Sequence, residues 1–295
     1  DRYQGLRAVV PSLPTQYGDV SRLLPMLADL KESASGVVAM ESDDLVGFLL
    51  SITIDDFRGR RTVLSPEWAN AAVSGRSGRV YEAMVAAAAE HWYADSATSF
   101  LPVLFADDHE AADTLFRLGF GMLAMDAMRD LSPPQGSFAD VRITRATVDD
   151  LEPMMALSTG LARHLQAAPV FLLQYELPDR DQLANHLQNE ASCYFLAWQD
   201  GQPVAFMKIG PATQDASTII RDEGTASITG AYSLPDVRGQ GLGTALLARC
   251  IGWAREAGYV RCGVDFEPTN VEANRFWRRH FQPVCFGVQR LLNLG

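Results

Sequence analysis

The sequence predicts an α/β protein of the α+β kind, made of two tandem domains built alike, each a central mixed, mostly antiparallel sheet flanked by helices. Three observations predict it. Residues 131–138, Leu-Ser-Pro-Pro-Gln-Gly-Ser-Phe, gather two prolines and a glycine among small polar residues and read as a linker. On both sides of it, strand-like and helix-like segments alternate. Landmarks of the first half also return in the second at nearly one spacing: Phe48 and Phe206 lie 158 apart, Gly78 and Gly241 163, and His109 and Asn270 161. A fixed period of that kind marks an internal repeat. The domains are therefore read as 1–130 and 140–295, joined by a linker at 131–139.

In the first half, 45–50 reads as a strand after an Asp-Asp turn, and 80–93 as a helix preceded by Gly78. His109-Glu-Ala-Ala, with Phe116 and Phe120, starts a second helix. In the second half, 141–145 is a strand and Thr147 a helix start, with helices expected over 151–165 and 181–190. Strand 192–198 turns at Asp200-Gly201 into strand 204–209, an antiparallel hairpin. A polar loop, 211–224, leads into strand 226–234, a glycine turn and a helix over 244–257. On that helix Leu242, Ala245, Leu246, Cys250, Trp253, Ala254 and Ala257 share a face, and Gly258 caps its end. Strand 261–266, a turn at 268–270 and helix 271–280 follow.

At 295 residues the chain can bury a sizeable core in each half. Its 47% hydrophobic and 21% charged residues are those of a soluble globular protein. A net charge of −11 argues against nucleic acid as a partner. It leaves room for an anionic cofactor, because screening over roughly 8 Å lets local amides and one arginine outweigh the total. The acidic balance favours a cationic or neutral second substrate. Cys193, Cys250, Cys262 and Cys285 are far apart and form no CxxC pair, so neither a disulfide framework nor a metal site is expected. No apolar run approaches the ~18 residues of a membrane span, and no signal-peptide pattern opens the chain. The expected location is cytoplasmic.

The chemistry concentrates in Arg238-Gly239-Gln240-Gly241-Leu242-Gly243-Thr244, between a strand and a helix. Glycines at alternate positions allow positive φ and close backbone approach. The amides at the start of a helix lack partners within it, and the helix dipole adds partial positive charge. Such a turn can cradle a phosphate; the alternative is a tight turn with no ligand. A Walker loop needs GxxxxGK[ST], which the chain lacks. A dinucleotide fingerprint needs GxGxxG, but from Gly241 the third glycine would be Leu246, and the preceding hairpin does not suit that fold.

A third pattern fits. Arg-x-x-Gly-x-Gly after a strand, followed by helix, strand and an Asn-x-x-Ala helix carrying aromatics, resembles the GCN5-related N-acetyltransferase (GNAT) family. Residues 237–244 are similar to its motif A and 270–281 to its motif B. Two copies with a degenerate first one is also the layout of the mycothiol synthase branch, a match of architecture and not of substrate. The resemblance implies acetyl-CoA as co-substrate, no metal, and a small-molecule or peptide amine as acceptor. It implies that Ala231, Tyr232 and Ser233 pair with the pantetheine arm and acetyl carbonyl. Gly239, Gln240, Gly241, Leu242, Gly243 and Thr244 would hold the pyrophosphate, Arg238 would add charge, and Asn270 would touch the pantetheine side.

Many members place a tyrosine acid seven residues after that asparagine; here the position is Trp277, which reads as core or pocket wall. Asp265, five residues before Asn270, matches by resemblance the base of the ribosomal-protein alanine acetyltransferases, or else is a solvated carboxylate. Tyr232 and Glu223 are further candidates, while His164 and His186 read as surface or packing residues. In the first half, Val80 stands where the glycine pattern requires a small residue, so that copy is expected to have lost tight cofactor binding. It would serve packing, homodimer formation or shaping of the acceptor cleft. The competing reading is a non-catalytic acyl-CoA-binding pseudo-enzyme acting as sensor or scaffold.

Overall fold

Alternating burial makes the strands and a 3.6-residue period the helices. In the strand 44–57, for example, Gly47, Leu49 and Ser51 are buried and their neighbours less so. The computed structural model describes residues 2–31, 35–136, 138, 140–212 and 216–292. The linker positions 137 and 139 and loop positions 213–215 lie outside the described residues. Two compact units emerge, one of Asp1–Asp126, Ser217–Ile220 and Pro283–Gly295, the other of Ala127–Ala216 and Arg221–Gln282. They are interleaved in sequence, whereas the halves read from the linker are contiguous.

The first unit contains α1 (Arg2–Val9), α2 (Val20–Lys31), β1 (Ser35–Glu41), β2 (Asp44–Phe57), β3 (Arg60–Ser65), β4 (Asn70–Ala72), α3 (Ser77–Ala94), β5 (Ser99–Phe105), α4 (His109–Arg117) and the start of β6 (Gly121–Asp130). β1, β2 and β3 are antiparallel neighbours, with Val37 opposite Leu49 and Thr53 opposite Val63. β3 then runs parallel to β5, Val63 opposite Phe100. The short β4 is a second partner of β2, Phe48 opposite Ala71. α3 lies on this sheet and buries Trp92, Met84 and Leu49 with Leu104 and Leu115.

The second unit contains β7 (Arg142–Arg145), α5 (Leu151–Gln166), α6 (Arg180–Gln188), β8 (Cys193–Gln199), β9 (Gln202–Pro211), β10 (Thr225–Ser233), α7 (Leu242–Glu256), β11 (Arg261–Phe266) and α8 (Val271–His280). β7 to β10 form an antiparallel meander, and β11 joins β10 in parallel. Met154, Leu157, Leu183, Leu196 and Phe206 form one core under α5 and α6. α7 buries Leu242, Ala245, Leu246, Cys250 and Ala254 of the face its periodicity predicts, while Trp253 is half-buried and Ala257, just past the helix end, is exposed. The chain ends in β12 (Gln282–Leu291), which pairs antiparallel with β5 of the first unit, Cys285 opposite Phe105.

The order of elements repeats. α1, α2, β1, β2, α3, β5 and α4 answer α5, α6, β8, β9, α7, β11 and α8, while β3 and β4 together stand where β10 does. Helix caps give the register: Asp108 accepts from the amide of Ala111 at 3.1 Å, and Asn270 from that of Ala273 at 3.3 Å. Asp108, one residue before the expected His109, is thus the counterpart of Asn270. Among the described residues no helix is long and apolar enough to cross a membrane.

Candidate active site

β10 and β11 part company half-way. Thr225 to Ile228 pair with Arg261 to Val264, and beyond them β10 is bulged and pairs with β9 alone, from Gly230 to Ser233. Backbone on the β11 side of that last stretch is therefore free to meet a ligand. The gap opens a cleft of about 470 Å³ whose lining includes Ala231, Tyr232 and Ser233 from the strand. Arg238, Gly239, Gly241, Leu242, Gly243 and Thr244 line it from the turn, and Asn270 and Trp277 from the start and middle of α8.

At the turn, Gly239 has φ +76° and Gly241 φ +84°. Gly241 is the N-cap of the 15-residue α7, so the left-handed turn leaves the first amides of the helix, those of 242–244, without a helical acceptor. Gly243 has a different cause. It is already helical, and a Cβ there would meet the Phe276 ring of α8 at 3.1 Å. Its smallness lets two helices approach, and its amide remains among the unpaired ones of the first turn. Arg238 lines the cleft with its guanidinium ion-paired with Glu272 and its Nε donating to the Ser233 carbonyl at 3.1 Å. Gln240 is exposed, and its side chain donates to the Asp236 carbonyl.

The strongest addition to the site is His164. It lines the cleft from α5, with Nε2 3.4 Å from Asn270 Oδ1 and its ring 6.3 Å from that of Tyr232. Sequence alone reads it as surface or packing; a separation of 106 positions from Asn270 conceals the pairing. Tyr232 is seated against α5 because Gly160 has no side chain there. Asp265 is exposed and is not part of the cleft lining. With Glu267 it adjoins Tyr175, whose hydroxyl is pushed above its ordinary range by burial first and by those two carboxylates second. Trp277 is 6% exposed and packs edge-on to Phe276 and Phe281, as pocket wall and core together.

The first unit differs at the cradle. Gly78 and Gly243 are each the second residue of their helix, and a Cβ on Gly78 would likewise hit the following helix, at Thr114 Oγ1 2.7 Å away. The counterpart of Gly241 is therefore Arg76, the N-cap of α3 at φ −142°, and the lost glycine lies there and not at Val80. Val80 instead packs toward Gly47 of β2.

Residues 161–281 match the model of the acetyltransferase (GNAT) family. The second unit carries a GNAT-family domain. A GCN5-related N-acetyltransferase from Sphaerobacter thermophilus shares the GNAT fold over most of the chain: TM-score 0.54, 13% identity, 89% of this chain and 82% of that one. A GCN5-related N-acetyltransferase from Kribbella flavida aligns over 93% of this chain and 95% of that one at 18% identity and TM-score 0.47. A tandem GNAT protein from the clavulanic acid biosynthesis pathway aligns over 87% and 82% at 14% identity and TM-score 0.42. Comparison with curated proteins gives no match.

Proposed function

We propose that the second unit moves the acetyl group of acetyl-CoA directly onto the amine of a small molecule or peptide. The observation that supports this best is the parting of β10 from β11 beside the N-terminus of α7. One cleft then offers unpaired strand backbone at one end and a left-handed glycine turn with unpaired amides at the other. The first suits a pantetheine arm with its peptide-like amides, the second a pyrophosphate. Ala231, Tyr232 and Ser233 would meet the arm, main chain from Gly239 to Thr244 the phosphates, and Asn270 and Trp277 the side of the arm. Bound there, acetyl-CoA supplies an acyl group already activated as a thioester.

What remains for the protein is orientation and one proton. An amine attacks only when neutral. With His164 Nε2–H donating to Asn270 Oδ1, Nδ1 is left as a basic nitrogen on the cleft wall, and we assign the proton from the attacking amine to it in preference to the outlying Asp265. An indole cannot protonate a departing sulfur, and Trp277 is not asked to. A thiol of pKa about 8.5 leaves acceptably as thiolate, and general acid help is typically worth only about 10²–10⁴-fold.

Acetyl-CoA titration against the wild type and Gly241→Val tests the site. The β-branched side chain at φ +84° should weaken binding by well over tenfold, and equal affinities would sink the assignment. Thiol release with an amine panel tests transfer. Tight binding with no turnover on any amine would favour the sensor reading, which the tryptophan at 277 motivates.

A further inference from the structure

One charged side chain beside the cleft has no part in the transfer described above. The chain holds two lysines, Lys31 and Lys208. Lys208 lies on β9 opposite Gly230, where β10 resumes after its bulge, and opposite Tyr194 of β8 on the other side. Directly paired residues share a face of the sheet, and alternate residues of a strand return to it. Lys208 therefore shares its face with Phe206, two residues earlier on β9, and with Tyr232, the partner of Phe206; both of these line the cleft. Its ammonium stands over the Tyr194 ring, 5.4 Å from the centroid. The glycine turn follows Ser233, so a cofactor arm laid back along Ser233, Tyr232 and Ala231 would bring its thioester toward Gly230 and Lys208.

That ammonium lacks an acid. Among the described residues Lys208 Nζ has neither an ion pair nor a hydrogen bond, and Tyr194 Oη has no hydrogen bond. Neither atom is sealed, in contrast to Ser227 Oγ of β10, which is buried without a partner. Both are donors that a ligand can reach. Burial holds the Lys208 ammonium below its ordinary range with no carboxylate to offset it, while Asp265 and Glu267 act on Tyr175 instead. The imidazole of His186, exposed on α6, is pushed down by burial first and by the Lys208 charge second. A half-buried cation beside a basic ring is held at a cost that an incoming anion removes. His186 lies in the last turn of α6, so that helix adds no free amides, and no arginine fork is present. One ammonium, one phenol and one imidazole suit a singly charged carboxylate better than a phosphate.

We infer that Lys208, Tyr194 and His186 form a carboxylate subsite at the thioester end of the cleft, so that the acceptor is an amine that also carries a carboxylate. The inference rests on the transfer proposed above. The net charge of −11 favours a cationic acceptor, but the groups within a screening length of roughly 8 Å decide, and here they are basic.

Acetyl transfer to glycine, 3-aminopropanoate, 4-aminobutanoate and 5-aminopentanoate, each beside its carboxamide, tests it by varying the distance from amine to carboxylate. At the best spacing, kcat/KM for the acid should exceed that for the amide by at least about tenfold. Lys208→Met should bring that ratio to about one with acetyl-CoA affinity unchanged, and Lys208→Arg should keep most of it. His186→Gln, on the exposed side of α6, should lower the ratio about threefold and leaves a folded protein if Lys208→Met does not. A second readout needs no turnover. Acylation of Lys208 by N-acetoxysuccinimide, mapped by peptide mass spectrometry with Lys31 of the other unit as internal reference, should be slowed about threefold or more by the preferred acid and not by its amide. Equal kcat/KM for acids and amides at every spacing, a ratio unmoved in both Lys208→Met and His186→Gln, or acylation of Lys208 unslowed by all four acids would each overturn the subsite. Protection of Lys208 without turnover on any amine would support the subsite and overturn the transfer reading instead.

Discussion

Gly160→Ala puts the packing behind the cleft to a quantitative test. In the middle of α5, glycine is ordinarily a weakness, and alanine should stabilise the helix by about 1 kcal/mol. Here the added Cβ would lie 2.7 Å from Tyr232 Cε1, 2.9 Å from Cζ and 3.0 Å from the hydroxyl oxygen. Carbon atoms rest at about 3.5–4.0 Å, so the ring must retreat by roughly 1 Å toward the cleft. Overpacking of that size costs about 1–3 kcal/mol, which outweighs the helical gain and leaves a net loss of up to about 2 kcal/mol. Gly252 supplies the control. It lies in α7 with nothing within 4 Å of its missing Cβ, and Gly252→Ala should simply gain about 1 kcal/mol. Urea unfolding midpoints should thus move in opposite directions for two alanines in helices of the same unit. In a Tyr232→Ala background Gly160→Ala should recover its helical gain, a coupling of about 1–3 kcal/mol. Equal stabilisation by both alanines, or no coupling to Tyr232, would refute the seating of Tyr232 on α5.

Three further outcomes are expected. All four cysteines are buried and free, and burial pushes their thiols up, to about 11 at Cys193, about 12 at Cys262 and well up at Cys250 and Cys285. A disulfide dye should therefore label none in the native protein and four after unfolding, which also keeps a thiol-release assay free of background. Burial raises the Asp107 carboxyl in the folded state, so the folded protein favours its protonated form, and that contribution is present at low pH and lost as pH rises through the raised value. Asp107→Asn should accordingly raise the thermal midpoint at pH 7 and lose its advantage below about pH 4. Asn270→Ala removes the cap of α8 and should cost about 1 kcal/mol in urea unfolding, while Asn270→Asp keeps most of it.

The glycine turn before α7 was legible in the sequence because it is local. Strand, left-handed turn and helix follow one another from Thr225 to Glu256, and glycine at φ +76° and +84° leaves a sign in the residues themselves. What stayed hidden depends on partners far along the chain. Gly243 answers to Phe276, Arg238 to Glu272 and His164 to Asn270. The last strand, β12, pairs with β5, Cys285 opposite Phe105, so the return of the chain end to the first unit could not be read from a proline-rich linker that lies close to the Asp126–Ala127 boundary. The repeat was visible in its landmarks and misaligned by one or two residues, since caps fix register and caps are read only once the helix ends are known.

That realignment changes where the first copy differs from the second at the turn. With Val80 as the culprit, one bulky side chain would obstruct an otherwise suitable site. With Arg76 at the cap, the positive φ lies one residue early, at Gly75 with +76°, the cap itself has φ −142°, and Arg76 is drawn off to Glu41. Backbone shape is still only half of the difference. Asp108 and Glu110 take the hydroxyl of Ser77 at the helix start, and Asp108 also holds Arg2, so the charge that could have met a phosphate is spent inside the protein. A glycine restored at 76 would face those same carboxylates. The two copies have thus parted by sign of charge as well as by shape: at the helix start one presents bare amides and the other carboxylates.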